Sequence, residues 1–277
     1  MKLGARIGRS TRGLFFGSVA LVCASCVGSV ELRVVGPGED CARDFGSSTA
    51  AAKIETFLAA SRALATETEA LASRTHAACA AGLATSEASE PTSCTALAAW
   101  ITDEQRALTV SGLRASEPRC AQDEAAFGAC VSRCELRYRP EDVNVVVDAS
   151  GLLTAPQASP RCRASCETLG AIAEQCTPPA SVAELGDGGD PARLARLHTA
   201  LEHAAEALAL AGRAERIRGA ADRLVSIAPV LPEAAATVSI RAVACVSAAS
   251  IDIRTSEDRL AAIQADTAPL GRLVTPP

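Results

Sequence analysis

Apolar residues recur along this chain mostly three or four positions apart, the spacing of one face of an α-helix, and seldom in the strict alternation of a half-buried strand. From Ser48 to about Ala81 there is no breaker, and Ile54, Phe57, Leu64 and Leu71 fall at near-heptad intervals. Ser47 or Ser48 can cap the start of this helix and Gly82 can mark its end. A second helix is predicted from near Thr92, past Leu97, Trp100 and Ile101. "CAQDEAAFGACVSRCELRY" reads as another, and Ser159-Pro160 supplies an N-cap and a first-turn proline for the next.

Farther on, Asp190 and Pro191 repeat that start signal. Leu194, Leu197, Leu201, Ala204, Leu208 and Ala211 follow at 3-4-3-4-3 spacing, an amphipathic stripe whose plain reading is helix packing. A further helix carries Ile217, Leu224 and Ile227 and ends before "APVLPEAA". A last one is predicted from about Pro232 to Ala265, past Cys245. "ALTVSGLRA" at Ala107–Ala115 and "DVNVVVDA" at Asp142–Ala149 read as short strands that pair with each other. The fold class is therefore mainly α: a long-helix bundle with a disulfide-stapled helical hairpin and a small two-stranded β patch. Residues 1–25 read as a signal peptide and 26–47 as a tether. Residues 48–180 form an N-terminal disulfide-rich helical region, 181–190 a linker, and 191–277 a C-terminal helical region packing on the first.

Composition qualifies this picture. The 277 residues are 48% hydrophobic but only 3% aromatic, and Ala dominates the apolar fraction. Ala favours helix and permits close helix–helix approach, yet it buries little area per residue. Such a core is thin, and covalent reinforcement suits it. Arg is common while Lys occurs only as Lys2 and Lys53, which reads as coding bias.

The N-terminus bears on the redox compartment. Lys2, Arg6, Arg9 and Arg12 precede the apolar run "GLFFGSVALVCAS", the layout of a secretory signal. Gly13–Val30 carries no charge for 18 residues, so an uncleaved anchor is the competing reading. "LVCASC" resembles the lipobox of bacterial lipoprotein precursors, with Ala24 and Ser25 before Cys26 and with Cys23 where Leu or Val is usual. That resemblance implies lipidation of Cys26, a membrane partner reached through the lipid, and outer-membrane or periplasmic residence. Ordinary cleavage and secretion is the alternative. Removing residues 1–25 takes four positive charges from a net −5 and leaves −9. An acidic chain with scattered aromatics excludes a nucleic-acid partner.

Twelve cysteines occur, and setting aside Cys23 and Cys26 in the signal region leaves ten. An even number in an exported chain reads as up to five disulfides. The central six run Cys120-x9-Cys130-x3-Cys134 and then Cys162-x3-Cys166-x9-Cys176, a mirrored pattern. Pairing 120 with 176, 130 with 166 and 134 with 162 gives residue numbers that always add to the same total, a property of antiparallel helices facing each other. On a helix, Cys134 lies about 40° from Cys130 and Cys120 about 80° round on the same side, so all three fit one stripe. The pattern resembles the twin Cys-x9-Cys and twin Cys-x3-Cys families of disulfide-zipped helical hairpins, although 27 residues separate Cys134 from Cys162 here. Zinc, iron–sulfur and thioredoxin-like centres favour Cys-x2-Cys, so a staple is preferred to a metal or redox site. Cys79 and Cys94 flank a loop and read as a clamp, leaving Cys41 with Cys245. Four cysteines nevertheless allow three connectivities.

Little else points to chemistry. His198 and His203 lie about 140° apart on a helix, and His76 stands three residues before Cys79. Asp187 and Asp190 in "GDGGD" supply too few oxygens for calcium. Glu67 and Glu69 do not face each other on a helix. No catalytic residue, metal or cofactor is expected. The composition is similar to that of exported proteins of high-GC bacteria. The expected role is a cell-envelope lipoprotein acting as a structural or protein-interaction module. The alternatives are a small-ligand binder with an apolar cleft between the N-terminal and C-terminal helices and, third, an envelope hydrolase.

Overall fold

The structure, a computed structural model, describes residues 39–42, 44–83, 93–108, 112–115, 120–176, 181–184 and 190–273. They belong to one compact unit running from Val35 to Pro277. The expected signal peptide, Cys26 and most of the expected tether lie outside the described residues, as do residues 84–92 and Asp187.

Helix α1 (Thr49–Leu83) begins where the Ser48 hydroxyl accepts from the Ala51 amide at 3.1 Å. Ile54, Phe57, Leu64 and Leu71 are fully buried along it. Gly82 does not end the helix; it is the penultimate residue, where a Cβ would meet both Leu97 methyls at 2.9 Å. Helix α2 (Cys94–Leu108) is capped by Ser93, and α3 (Glu124–Glu135) by Asp123. Helix α4 (Pro160–Ala173) carries the expected Ser159 cap with Pro160 in its first turn.

From Asp190 the chain differs from expectation. One helix, α5 (Pro191–Ile227), runs 37 residues and absorbs the two helices read separately at Leu194 and Ile217. Gly212 and Gly219 lie inside it, and a helical glycine lowers stability by about 1 kcal/mol without requiring a break. The last predicted helix is instead two, α6 (Leu231–Ala236) and α7 (Ile240–Gly271). Extended Ser239 accepts from the Ala242 amide at 3.0 Å and restarts the helix there.

Among the described residues the β content is three separate antiparallel pairs. Strand β1 (Gly112–Ala115) pairs with β6 (Ser181–Glu184), β2 (Cys120–Ala121) with β5 (Gln175–Cys176), and β3 (Val146–Val147) with β4 (Leu153–Thr154). The two predicted strands therefore do not pair with each other. β3 finds its partner locally because Asp148 makes a turn: its carboxylate accepts from the Ser150 and Leu152 amides, and Gly151 takes φ +78°. β1 pairs instead with residues read as linker, so 181–184 is a strand.

The main core lies among α1, α5 and α7, joined by α4 and α6; a second cluster gathers around the end of α1, α2 and the start of α5. Close approach is visible directly. The Ser61 hydroxyl on α1 donates to the Ala249 carbonyl of α7 at 3.2 Å, and the Thr168 hydroxyl on α4, which donates to Ala164 of its own helix at 2.9 Å, lies 3.3 Å from the Ala220 carbonyl of α5. Such bonds need small residues at the crossing, and Ala220 and Ala221 are fully buried there.

Urea unfolding followed by circular dichroism checks this packing. Leu64→Ala is expected to lose about 2–5 kcal/mol by leaving a cavity, and Ala220→Leu about 1–3 kcal/mol by overpacking. A neutral Ala220→Leu would mean that small side chains do not set the α4–α5 distance.

Candidate functional site

The structure brings each paired set of cysteines together. Cys130–Cys166 and Cys134–Cys162 bridge antiparallel α3 and α4 with Cα separations of 5.8 and 5.6 Å. Cys79–Cys94 clamps the end of α1 to the start of α2, and Cys41–Cys245 ties a short 3-10 turn at Glu39–Ala42 to α7. Cys120–Cys176 departs from the expected geometry. Both residues stand outside the helices, directly opposite each other in β2 and β5. Asp123 starts α3 only after Cys120, and α4 ends at Ala173, so one-stripe placement of all three cysteines fails. Antiparallel strands share the constant-total property of antiparallel helices, and the mirrored spacing continues through them. Five disulfides belong to an oxidising, exported environment. Among the described residues, no helix is long and apolar enough to cross a membrane.

Metal chemistry gains nothing from this framework. Among the described residues one group of three side chains has metal-ligating geometry, Cys120, Glu174 and Cys176. Its two sulfurs are bonded to each other, so neither is a thiolate. Asp190 uses its carboxylate to cap α5, accepting from Ala192 at 3.0 Å. His198 and His203 each lie near a glutamate on their own helix, Glu202 at 3.4 Å and Glu206 at 3.8 Å. His76 is exposed on α1, as is Glu69, whereas Glu67 pairs with Arg213 at 2.8 Å.

A cleft of about 510 Å³ opens among the 44–47 turn, α1, α3 and α4, all within the N-terminal half rather than between the two halves. Asp44, Glu55, Thr56, Arg133, Leu136 and Leu169 are among its walls, and a second depression of about 230 Å³ shares Arg133 and Leu169. Glu55 is engaged by the Phe45 amide at 2.7 Å and Asp44 by the Gly46 amide at 2.6 Å. Arg133 is exposed and makes no ion pair with the described residues. Leu136 ends α3 with φ 55° while half exposed, an unusual conformation for a branched side chain. Behind it, buried Glu135 accepts from the Ser159 amide at 2.6 Å. Burial alone would raise this carboxyl; hydrogen bonding from Ser159, with Lys53 and Arg137 nearby, holds it below the ordinary range.

Two acidic constellations were invisible in the sequence. The Arg223 guanidinium reaches Glu167 at 2.7 Å and Asp148 at 2.8 Å, docking the β3–β4 turn and α4 onto α5. Burial pushes the Glu167 carboxyl up against Arg223. Asp148 resists its own desolvation through bonds from Ser150, Arg223 and Leu152 and stays at about 2. The second is a carboxyl pair between α5 and α7. Glu257 is pushed up to about 7 by burial first, and then by the hydrogen bond and charge of Asp222. Thirty-five positions separate these residues, on helices whose register no local pattern reveals.

The pair makes stability depend on pH. Its folded-state value lies above the ordinary 4.5, so between about pH 4.5 and 7 the folded chain keeps a proton that the unfolded chain has released. The stabilisation is full below that window and is lost as pH rises through about 7, on the order of 2 kcal/mol after solvent screening. Urea unfolding at pH 5 and pH 8 is expected to show this slope in the parent and a flatter one in Glu257→Gln. Equal slopes would remove the pair from the account.

No protein-family model matches the chain, and no curated protein or solved structure is similar to it.

Proposed function

We propose that the protein is a cell-envelope lipoprotein, held to the membrane through a lipid on Cys26 and acting as a structural or protein-interaction module without catalysis. The observation that carries the interaction role is the outer face of α7. Ile240, Ala244, Ser247 and Ile251 fall at 4-3-4 spacing and are all exposed, the two isoleucines by 83% and 66%. From Ala242 to Ile251 the helix has no charged residue. Ser247 spends its hydroxyl on the Val243 carbonyl of its own helix. A solvated helix face ordinarily carries charge, whereas a seam of this kind suits the apolar stripe of a partner helix. The oxidising environment implied by five disulfides agrees with residence in the envelope.

A small-ligand reading draws on the cleft lined by Arg133, Leu136 and Leu169, where a cation with no ion pair among the described residues suits an anionic group on an apolar body. Calorimetric titration with dodecanoate is expected to give binding that Arg133→Gln weakens at least fivefold if that reading holds.

Two measurements test the leading reading. Growth with an alkyne-tagged fatty acid should label the protein and leave Cys26→Ser unlabelled; absence of label on the parent rejects the anchor. A photo-crosslinking residue at Ser247 should give a discrete adduct in the intact envelope, lost when Ile240→Asp and Ile251→Asp are combined. The same probe at Arg259 should give none. An adduct pattern indifferent to these positions rejects the seam.

A further inference from the structure

Cys176 is the one exposed cysteine among the described residues, and its bonded partner Cys120 is half-buried. Seven of the other eight are buried, and Cys41 is partly covered. The Cys120–Cys176 bridge also has a cation beside it. Arg216 of α5 directs Nη2 at both sulfurs, in closer contact with Cys120 than with Cys176, from which it stands 3.3 Å. Its Nε is held by Glu174 at 2.8 Å, and that carboxylate is nearly inaccessible. The guanidinium is thus oriented by an acid on one edge and presents the other to the disulfide. Glu174 is the opposing charge there, within 4.8 Å of both sulfurs.

The bridge also contributes less to the fold than its separation of 56 residues suggests. Cys130–Cys166 and Cys134–Cys162 already close the interior of that loop. The outer bridge constrains only the short arms 120–130 and 166–176, so its opening leaves the hairpin stapled twice.

We propose that Cys120–Cys176 is a thiol-exchange site, entered by an external thiolate at Cys176 with Cys120 as the leaving sulfur. The incoming thiolate attacks the exposed Cys176 Sγ along the S–S axis and forms a new S–S bond to it. The old bond breaks, its electron pair leaves on Cys120 Sγ, and Arg216 Nη2 stabilises the resulting thiolate. A second thiolate then attacks the sulfur of the first thiol, frees Cys176 and releases the two external thiols as their disulfide. Two electrons pass to the protein, and its thiolates take protons from solvent. A better-stabilised leaving thiolate departs faster, so the cation accelerates the first step and selects which sulfur is attacked.

Folded protein is treated with reduced glutathione for increasing times, quenched with acid, alkylated and mapped by mass spectrometry. The expected first product carries glutathione on Cys176 and a free Cys120, while the four other bridges stay closed. Arg216→Gln is expected to slow this product about tenfold, and Arg216→Lys to retain most of the rate. Both variants are compared only while their four other bridges and helicity match the parent. Should either misfold, the regiochemistry in the parent decides alone. Glutathione on Cys120, opening of all five bridges together, or an unchanged rate in folded Arg216→Gln would each overturn the proposal.

Discussion

Small side chains at the helix crossings govern this molecule. With Ala60 on α1, Ala220 and Ala221 on α5, and Ala242 and Ala249 on α7 all buried, the helices come close enough for hydroxyl groups to bond a neighbour's backbone. The same choice limits the apolar area each residue removes from water, and hydrophobic stabilisation scales with that area. Much of the remaining architecture compensates. Disulfides limit the unfolded chain's freedom, and the two α3–α4 bridges sit where those helices have only Phe127, Val131 and a few neighbours for a core.

Helix α5 distributes polar reinforcement through the bundle. Arg193 pairs with Glu104 of α2, Arg213 with Glu67 of α1, Arg216 with Glu174, and Arg223 with both Asp148 and Glu167. Each contact needs a planar group that binds a carboxylate edge-on while its stem crosses apolar surface, which Lys does poorly. The preference for Arg, readable in the sequence only as bias, has a structural use at these four positions. Partly buried ion pairs of this kind add little net stability, but a misplaced helix would leave the buried acids among them, Glu167 and Glu174, without their partners. Between alanine faces, which slide past one another at small cost, that selectivity fixes α5 against the rest.

What the sequence disclosed was local or arithmetical. Ser48, Ser159-Pro160 and Asp190-Pro191 announce helix starts because capping depends on neighbours within one turn. The cysteine spacing disclosed antiparallel pairing, since only opposed chain directions keep the total of paired positions constant. It did not distinguish helix from strand at Cys120 and Cys176, because both geometries satisfy that rule. The continuity of α5 was hidden for another reason. Its buried positions run on at three- and four-residue steps through Ala214, Ile217, Ala221 and Leu224, and the helix continues across Gly212 and Gly219, residues that weaken a helical pattern. Asp222–Glu257 and Arg223–Glu167 depend on interhelical register, which no one-dimensional pattern encodes.

These constraints also bear on what the surface is free to do. Glu135, Glu167 and Glu174, the three buried glutamates among the described residues, are committed to backbone or arginine partners that dock the hairpin, and each holds a fixed structural position. A carboxylate so committed is a poor proton carrier, because moving its proton would release the element it anchors. The Asp222–Glu257 pair escapes that commitment, yet Asp222 lies exposed on the helix surface rather than in a cleft. Features left unspent by folding are of another kind: an uncharged seam on α7, an arginine at the mouth of a shallow cleft, and a disulfide whose sulfur faces solvent. All three are placed where something outside the chain could reach them. A bundle that uses its buried acids to hold itself in register has few polar groups left uncommitted except at its surface.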